Sequence, residues 1–166
     1  MKEYRYFVGI DNGCTGTISI IDTEKWTSSF FKTPVFKEAS YTQKKQNIHR
    51  IKWGELVTKL PKENALVILE RPRGNNSFNA IQSSLRSLES TLIAIEYLGL
   101  DYQYCDSKTW QQAFLSSALI GSEQMKKGSK EVAIELYPNH RDEIEKHGDG
   151  DSLLMARFFM LKYQKK

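Results

Sequence analysis

The chain has 166 residues, 40% of them hydrophobic, enough to bury the core of one ordinary domain. Its formal charge of +4 is a modest surplus that by itself indicates no particular partner. Cys14 and Cys105 lie far apart, with no CxxC spacing and no histidine partners, which excludes a disulfide framework and a zinc site as readings of the pattern. No run approaches the roughly 18 apolar residues of a membrane span, and MKEYRYFVGID lacks a signal-peptide core. The expectation is one domain over residues 1–166, soluble, in a reducing cytoplasm.

In chain order, Tyr6 to Ile10 is a short apolar run, Thr17 to Ile21 alternates, and Thr27 to Lys32 is rich in β-branched and aromatic residues. Turn residues at Asn12, Gly13, Gly16 and from Asp22 to Lys25 separate them into a three-stranded antiparallel meander. A polar loop is expected from Thr33 to Lys44. Helical spacing begins at Ile48 and runs through Ile51, Leu56, Val57 and Leu60 to Pro61. Ala65 to Leu69 reads as a strand buried on both faces, as in a parallel sheet. Ile81, Leu85, Leu88, Leu92 and Ile95 make an amphipathic helix ending before Gly99. Tyr102 to Cys105 is the fifth strand, and helices follow over Lys108 to Leu115, Ser129 to Tyr137 and Asp151 toward Tyr163. This order predicts an α/β architecture, a mixed five-stranded sheet flanked by helices.

In such sheets sites form at the carboxyl ends of strands, and Asp11 and Glu70 each stand there after an apolar strand. If those two strands are parallel neighbours, both carboxylates reach one shared ion. Hard divalent cations prefer carboxylate oxygens, water and phosphate oxygens, and a pair of them can activate a water and stabilise a leaving oxygen in phosphodiester cleavage. Asp151 opens the last helix, where the dipole favours an anion, although Asp-Ser is also ordinary capping chemistry. Asp149, two residues earlier, would face another way on a regular helix and joins the site only from a loop; His147 and Asp151, four apart, would share a face.

Together VGIDNGCTG, VILERP and HGDGDSLLMA resemble the RuvC-type Holliday junction resolvases, and the short chain looks most like their phage-encoded members. SLESTLIAIEYLGLDYQYCDSKTWQQ and KKGSKEVAIELYP are similar to that family's helix, fifth strand and lysine-containing segment, so the resemblance spans nearly the whole chain. It implies an RNase H-like nuclease domain. It also implies a homodimer, and hydrolysis with magnesium, manganese being the alternative, with two ions per site. The implied substrate is branched DNA, four-way junctions above all and forks and flaps besides, cut by paired nicks. No nucleotide cofactor and no membrane are implied, and the setting is the cytoplasm, that of a bacterial host for a phage protein. By position Asp11, Glu70 and Asp151 match the family's acids. The family often carries Asp three residues before the last of these, where this chain has Gly148; either His147 or Asp149 stands in. Lys130 looks like the family's lysine near the scissile phosphate, with Lys127 next, and a lysine there offsets transition-state charge.

The loop after Glu70 supplies Arg71, Arg73, Asn75, Asn76 and Phe78, whose arginine forks match phosphates and whose ring can stack at a branch or fold back onto the core. Lys44 and Lys45, within a basic stretch from Lys32 to Lys52, and Lys108, Lys126 and Lys127 are further candidate DNA contacts. A solvated lysine face explains any one of these equally well. Two other readings compete. GIDNGCTGT also resembles the first phosphate loop of actin-like ATPases and sugar kinases, although no second glycine-rich loop follows; and a protein could keep the fold and bind branched DNA without cutting it.

Overall fold

The computed structural model describes residues 3–41, 46–72 and 77–164. Strands β1 (Tyr6–Ile10), β2 (Thr17–Asp22) and β3 (Thr27–Lys32) form the expected meander, and β6 (Ala65–Glu70) and β7 (Asp101–Cys105) complete a five-stranded sheet in the order β3-β2-β1-β6-β7. The first two junctions are antiparallel and the last two parallel, so β1 and β6 are parallel neighbours in the middle of the sheet.

Between β3 and β6 the chain departs from expectation. Part of the anticipated loop is β4 (Val35–Ala39), which pairs antiparallel with β5 (Asn47–Ile51) as a separate two-stranded hairpin; Lys44 and Lys45 lie outside the described residues. The spacing at Ile48 and Ile51 belongs to that strand and not to a helix. Two apolar residues three apart match a helical turn, whereas in a strand they fall on opposite faces; here pairing with the hairpin partner overrides the helical spacing. Helix α1 (Trp53–Lys59) then buries Leu56 and stops before Pro61, whose ring disfavours a helical residue ahead of it.

The amphipathic segment forms α2 (Phe78–Leu98), capped by Gly99 in the left-handed region. Then come α3 (Ser107–Phe114), α4 (Ser122–Leu136), a 3-10 turn at Pro138–His140, α5 (Arg141–His147) and α6 (Asp151–Gln164). Helix α4 begins a full two turns earlier than the apolar spacing indicates, because Ser122 to Lys127 present no apolar stripe beyond half-buried Met125. Helix α5 has only Ile144 buried, which is too little periodicity to read.

Alternation along the strands sorts the core into two layers. Phe7, Leu66 and Ile68 face α6 together with Trp110, Ala133, Leu153 and Met155. Val8, Ile10, Val67 and Leu69 face the other way, against Leu56, Ala94 and Ile95 of α1 and α2. None of the described helices is long and apolar enough to cross a membrane.

Candidate active site

The same alternation aims the acids. On β1, Phe7 and then Gly9 point to the α6 side, so the next residue of that parity is Asp11; on β6, Leu66 and Ile68 point there, and so does Glu70. The register pairs Ile10 with Leu69, which sets Asp11 level with Glu70 on adjacent parallel strands, and their side chains are hydrogen-bonded.

Helix α6 brings the other two. It lies so close to β1 that a Cβ on Gly9 would run into the Ser152 carbonyl, and only the missing side chain permits this approach. The preceding loop is seated in the same manner, since a Cβ on Gly150 would strike that of Ala133 on α4. Helix α5 ends at Gly148 in the left-handed conformation, the chain turns there, and Asp149 therefore sits in a loop, as its participation requires. Its Oδ1 accepts from Thr17 Oγ1 at 3.1 Å, and its carboxylate also takes the Asp151 backbone N–H. Thr17 and Ser152 hydroxyls are 3.0 Å apart, both buried. Asp151, in the first turn of α6, accepts a short hydrogen bond from Ser129 of α4.

The four carboxylates thus gather at one end of the sheet from three separate segments, the end of β1, the end of β6 and the start of α6 with its preceding loop, and their charges repel. Burial first, then the charges of Glu70, Asp149 and Asp151, push the Asp11 carboxyl well above the ordinary range. Burial raises Asp151 to about 6 despite its Ser129 hydrogen bond, with Asp149 and Glu70 adding to the rise. Asp149 is raised by burial against the lowering effect of its Thr17 and Asp151 hydrogen bonds. Among the described residues no three His, Cys, Asp or Glu side chains already form a metal cage, and Thr17 and Ser129 each hold one of the acids by a hydrogen bond. The donor chemistry nonetheless suits a hard divalent cation: several carboxylates, partly buried, whose mutual repulsion a shared cation would relieve.

Asp149 acts on Asp11 and Asp151; the His147 ring packs edge-on against Phe30, centroids 6.0 Å apart, and its charge bears on Asp149. The lysine whose charge bears on both Asp149 and Asp151 is Lys126, one turn before Ser129 on α4. Lys130 and Lys127 line a depression beside α5 with Glu131 and Glu145, and Lys127 stands 4.0 Å from Glu131. Lys126 is one of the lysines expected to contact DNA, and the sequence does not single it out from Lys127 and Lys130; Thr17 and Ser129 carry no signal in the sequence, their hydroxyls becoming partners only through packing.

Arg71 is exposed, 3.3 Å from Asp106 and stacked over Tyr104. Phe78, the first residue of α2, does not fold back onto the core: it is 73% exposed. Lys108 borders a shallow cavity with Gln111 and Met125. Arg73, Asn75 and Asn76 lie outside the described residues. A groove of about 880 Å³ starts at Asn12, the residue after Asp11, and runs between the β4–β5 hairpin and the first half of α2, past Tyr41, Asn47, Asn79, Gln82 and Arg86.

Among solved structures, the chain is similar to Thermus thermophilus RuvC in complex with a Holliday junction substrate, with 16% sequence identity, a TM-score of 0.51, and 92% of this chain and 90% of that one covered. The fold is that of RuvC. A second structure of T. thermophilus RuvC gives 14% identity and a TM-score of 0.41 over 91% of this chain and 95% of the other. No protein-family model matches the sequence, and no curated protein does. The RuvC-like sheet is the scaffold whose central parallel strands present Asp11 and Glu70.

Proposed function

We propose that this chain is an endonuclease of the RuvC type that hydrolyses phosphodiester bonds in branched DNA with the help of divalent cations. The observation that carries the reading is the gathering of Asp11, Glu70, Asp149 and Asp151 at the carboxyl ends of β1 and β6, so tightly that Asp11 resists ionisation. The neighbour of like fold was solved with a Holliday junction, which supports the same class of substrate here.

The four carboxylates would hold magnesium, or manganese, two ions to a site. Bound there, the metal supplies an activated water and charge stabilisation for the leaving oxygen. The residues do the rest. Thr17 and Ser129 donate to Asp149 and Asp151, which positions these carboxylates and favours their ionised form, and Lys126 would face the charge that develops on the phosphate. Phe78, held outward at the start of α2, is placed to stack on a base at the branch, and the amide-rich groove beside Asn12 offers a path for a strand leaving the site. Cutting two opposed strands needs two sites, and a two-fold dimer supplies them. The exposed Ile93 and Tyr97, one turn apart on α2, with Trp53 packed at 5.9 Å from Tyr97, offer an apolar surface suited to such pairing.

One observation favours a second reading, a branched-DNA-binding protein without cleavage: Asp149 and Asp151 are engaged by hydroxyls rather than drawn onto a common centre. A nicking assay on a synthetic four-way junction and a linear duplex, with magnesium, with manganese and with chelator, decides between them. Symmetric metal-dependent nicks in the junction, lost in Asp11→Asn while binding persists, support the nuclease. Binding without nicks under every condition supports the alternative.

A further inference from the structure

At the far end of β1 from the acids lies a cavity of about 430 Å³ between the β2–β3 turn, the end of α4 and the middle of α6, bordered by Ile21, Trp26, Leu136, Tyr137, Arg157 and Met160. Ile21 pairs with Phe7, four residues before Asp11, so the cavity is roughly 13 Å up the strand from the acids at about 3.3 Å per residue. It is therefore no extension of the acidic site.

Three features of this cavity do not serve the fold. Trp26 is 71% exposed and has φ 53°, the left-handed region where a turn normally places Gly or Asn; a bulky residue kept there at the expense of stability points to use. The Tyr137 hydroxyl is buried and makes no hydrogen bond of good geometry among the described residues, Arg157 being the group that bears on it. The Arg157 guanidinium sits 5.7 Å from the centroid of the Tyr137 ring and forms no ion pair with a described acid, and none of the residues bordering the cavity is acidic. An aromatic wall, an apolar floor from Ile21, Leu136 and Met160, and one unneutralised cation next to a phenol make a defined recognition chemistry.

We infer that this cavity docks a peptide segment of a partner protein that presents an aromatic side chain directly beside a carboxylate, the ring stacking on Trp26 above the apolar floor and the carboxylate meeting Arg157 and the Tyr137 hydroxyl. A single strand of nucleic acid suits it less well. A strand needs a track of cations for successive phosphates, and Arg157 is the one cation among the residues bordering the cavity. The inference is independent of the nuclease reading.

The test follows the indole N–H resonances of the 15N-labelled full chain, with the Trp26 signal identified by its disappearance in Trp26→Phe. The probes are N-acetyl-Asp-Phe with a free carboxylate, N-acetyl-Asn-Phe amide, and a six-residue oligothymidylate. The acidic dipeptide is expected to shift the Trp26 signal saturably, at least fivefold more tightly than the amide. Arg157→Gln should erase that preference and Arg157→Lys keep part of it. Trp26→Gly should lose binding yet raise the melting temperature, since glycine adopts the left-handed turn freely. No shift with the acidic dipeptide, equal binding of the two dipeptides, or a shift with the oligothymidylate alone would overturn the inference.

Discussion

An aspartate stands beside each end of β1, the two in opposite states: Asp22 of β2, paired with Tyr6, and Asp11, which follows Ile10. Just before the strand, Arg5 grips Asp22 through Nε at 3.1 Å and Nη2 at 2.8 Å and also pairs with Glu24, and the Asp22 carboxyl is held down to about 2 by that guanidinium, helped by the Glu24 and Lys25 backbone N–H groups. Just after it, Asp11 faces three other acids and is pushed up. At one end the chain provides its own counter-charge; at the other it withholds one. A fold selected for stability alone would resemble the first end, so the difference marks the second as a place where a cation from outside is expected.

The largest way to break this contrast is Asp11→Asn. Nicking of a four-way junction should fall at least about a thousandfold, the scale of a lost electrostatic contribution in a reacting site, while the melting temperature without metal holds or rises because repulsion is relieved. A gel-based cleavage assay with parallel thermal melts checks both.

Next is Gly9→Ala. The added methyl meets the Ser152 carbonyl, so the variant should lose about 1–3 kcal/mol in denaturant unfolding, as overpacked sites do, and should lose cleavage with it because α6 is displaced.

A third difference is read in pH. Asp151 is protonated more readily folded than unfolded, so its contribution favours the native state below about pH 4 and is lost as pH rises toward about 6. Without metal, wild-type stability relative to Asp151→Asn should therefore fall by on the order of 2 kcal/mol across that interval, and magnesium should restore it. A flat difference across pH would show that the carboxyl is not strained.

The smallest effect belongs to the quiet end. Asp22→Asn should cost stability at neutral pH, and the cost should vanish as acid is added down through about pH 2, because a lowered carboxyl pKa stabilises only above it. Melts from pH 2 to 7 measure this.

The central sheet was legible because its strands are short apolar runs with clear turn residues, and Asp11 and Glu70 follow directly from strand ends. Asp149 was harder: as neighbours two apart, it and Asp151 look incompatible until Gly148 is seen to end a helix that the sequence barely signals. The hairpin of β4 and β5 was hidden because its alternation is irregular and mostly exposed, and its pairing is a tertiary fact. That the charge of Lys126 bears on Asp149 and Asp151 depends on how α4 is rotated against α6, which no local pattern reports.

The fit of Gly150 against Ala133 also has a mechanical consequence. Asp149 and Asp151 flank a residue clamped to α4, so the two acids move as one piece whenever that helix shifts. Any force applied to α4 therefore reaches half of the acid cluster at once, and through Ser152, seated on Gly9, it is passed to the strand that ends at Asp11.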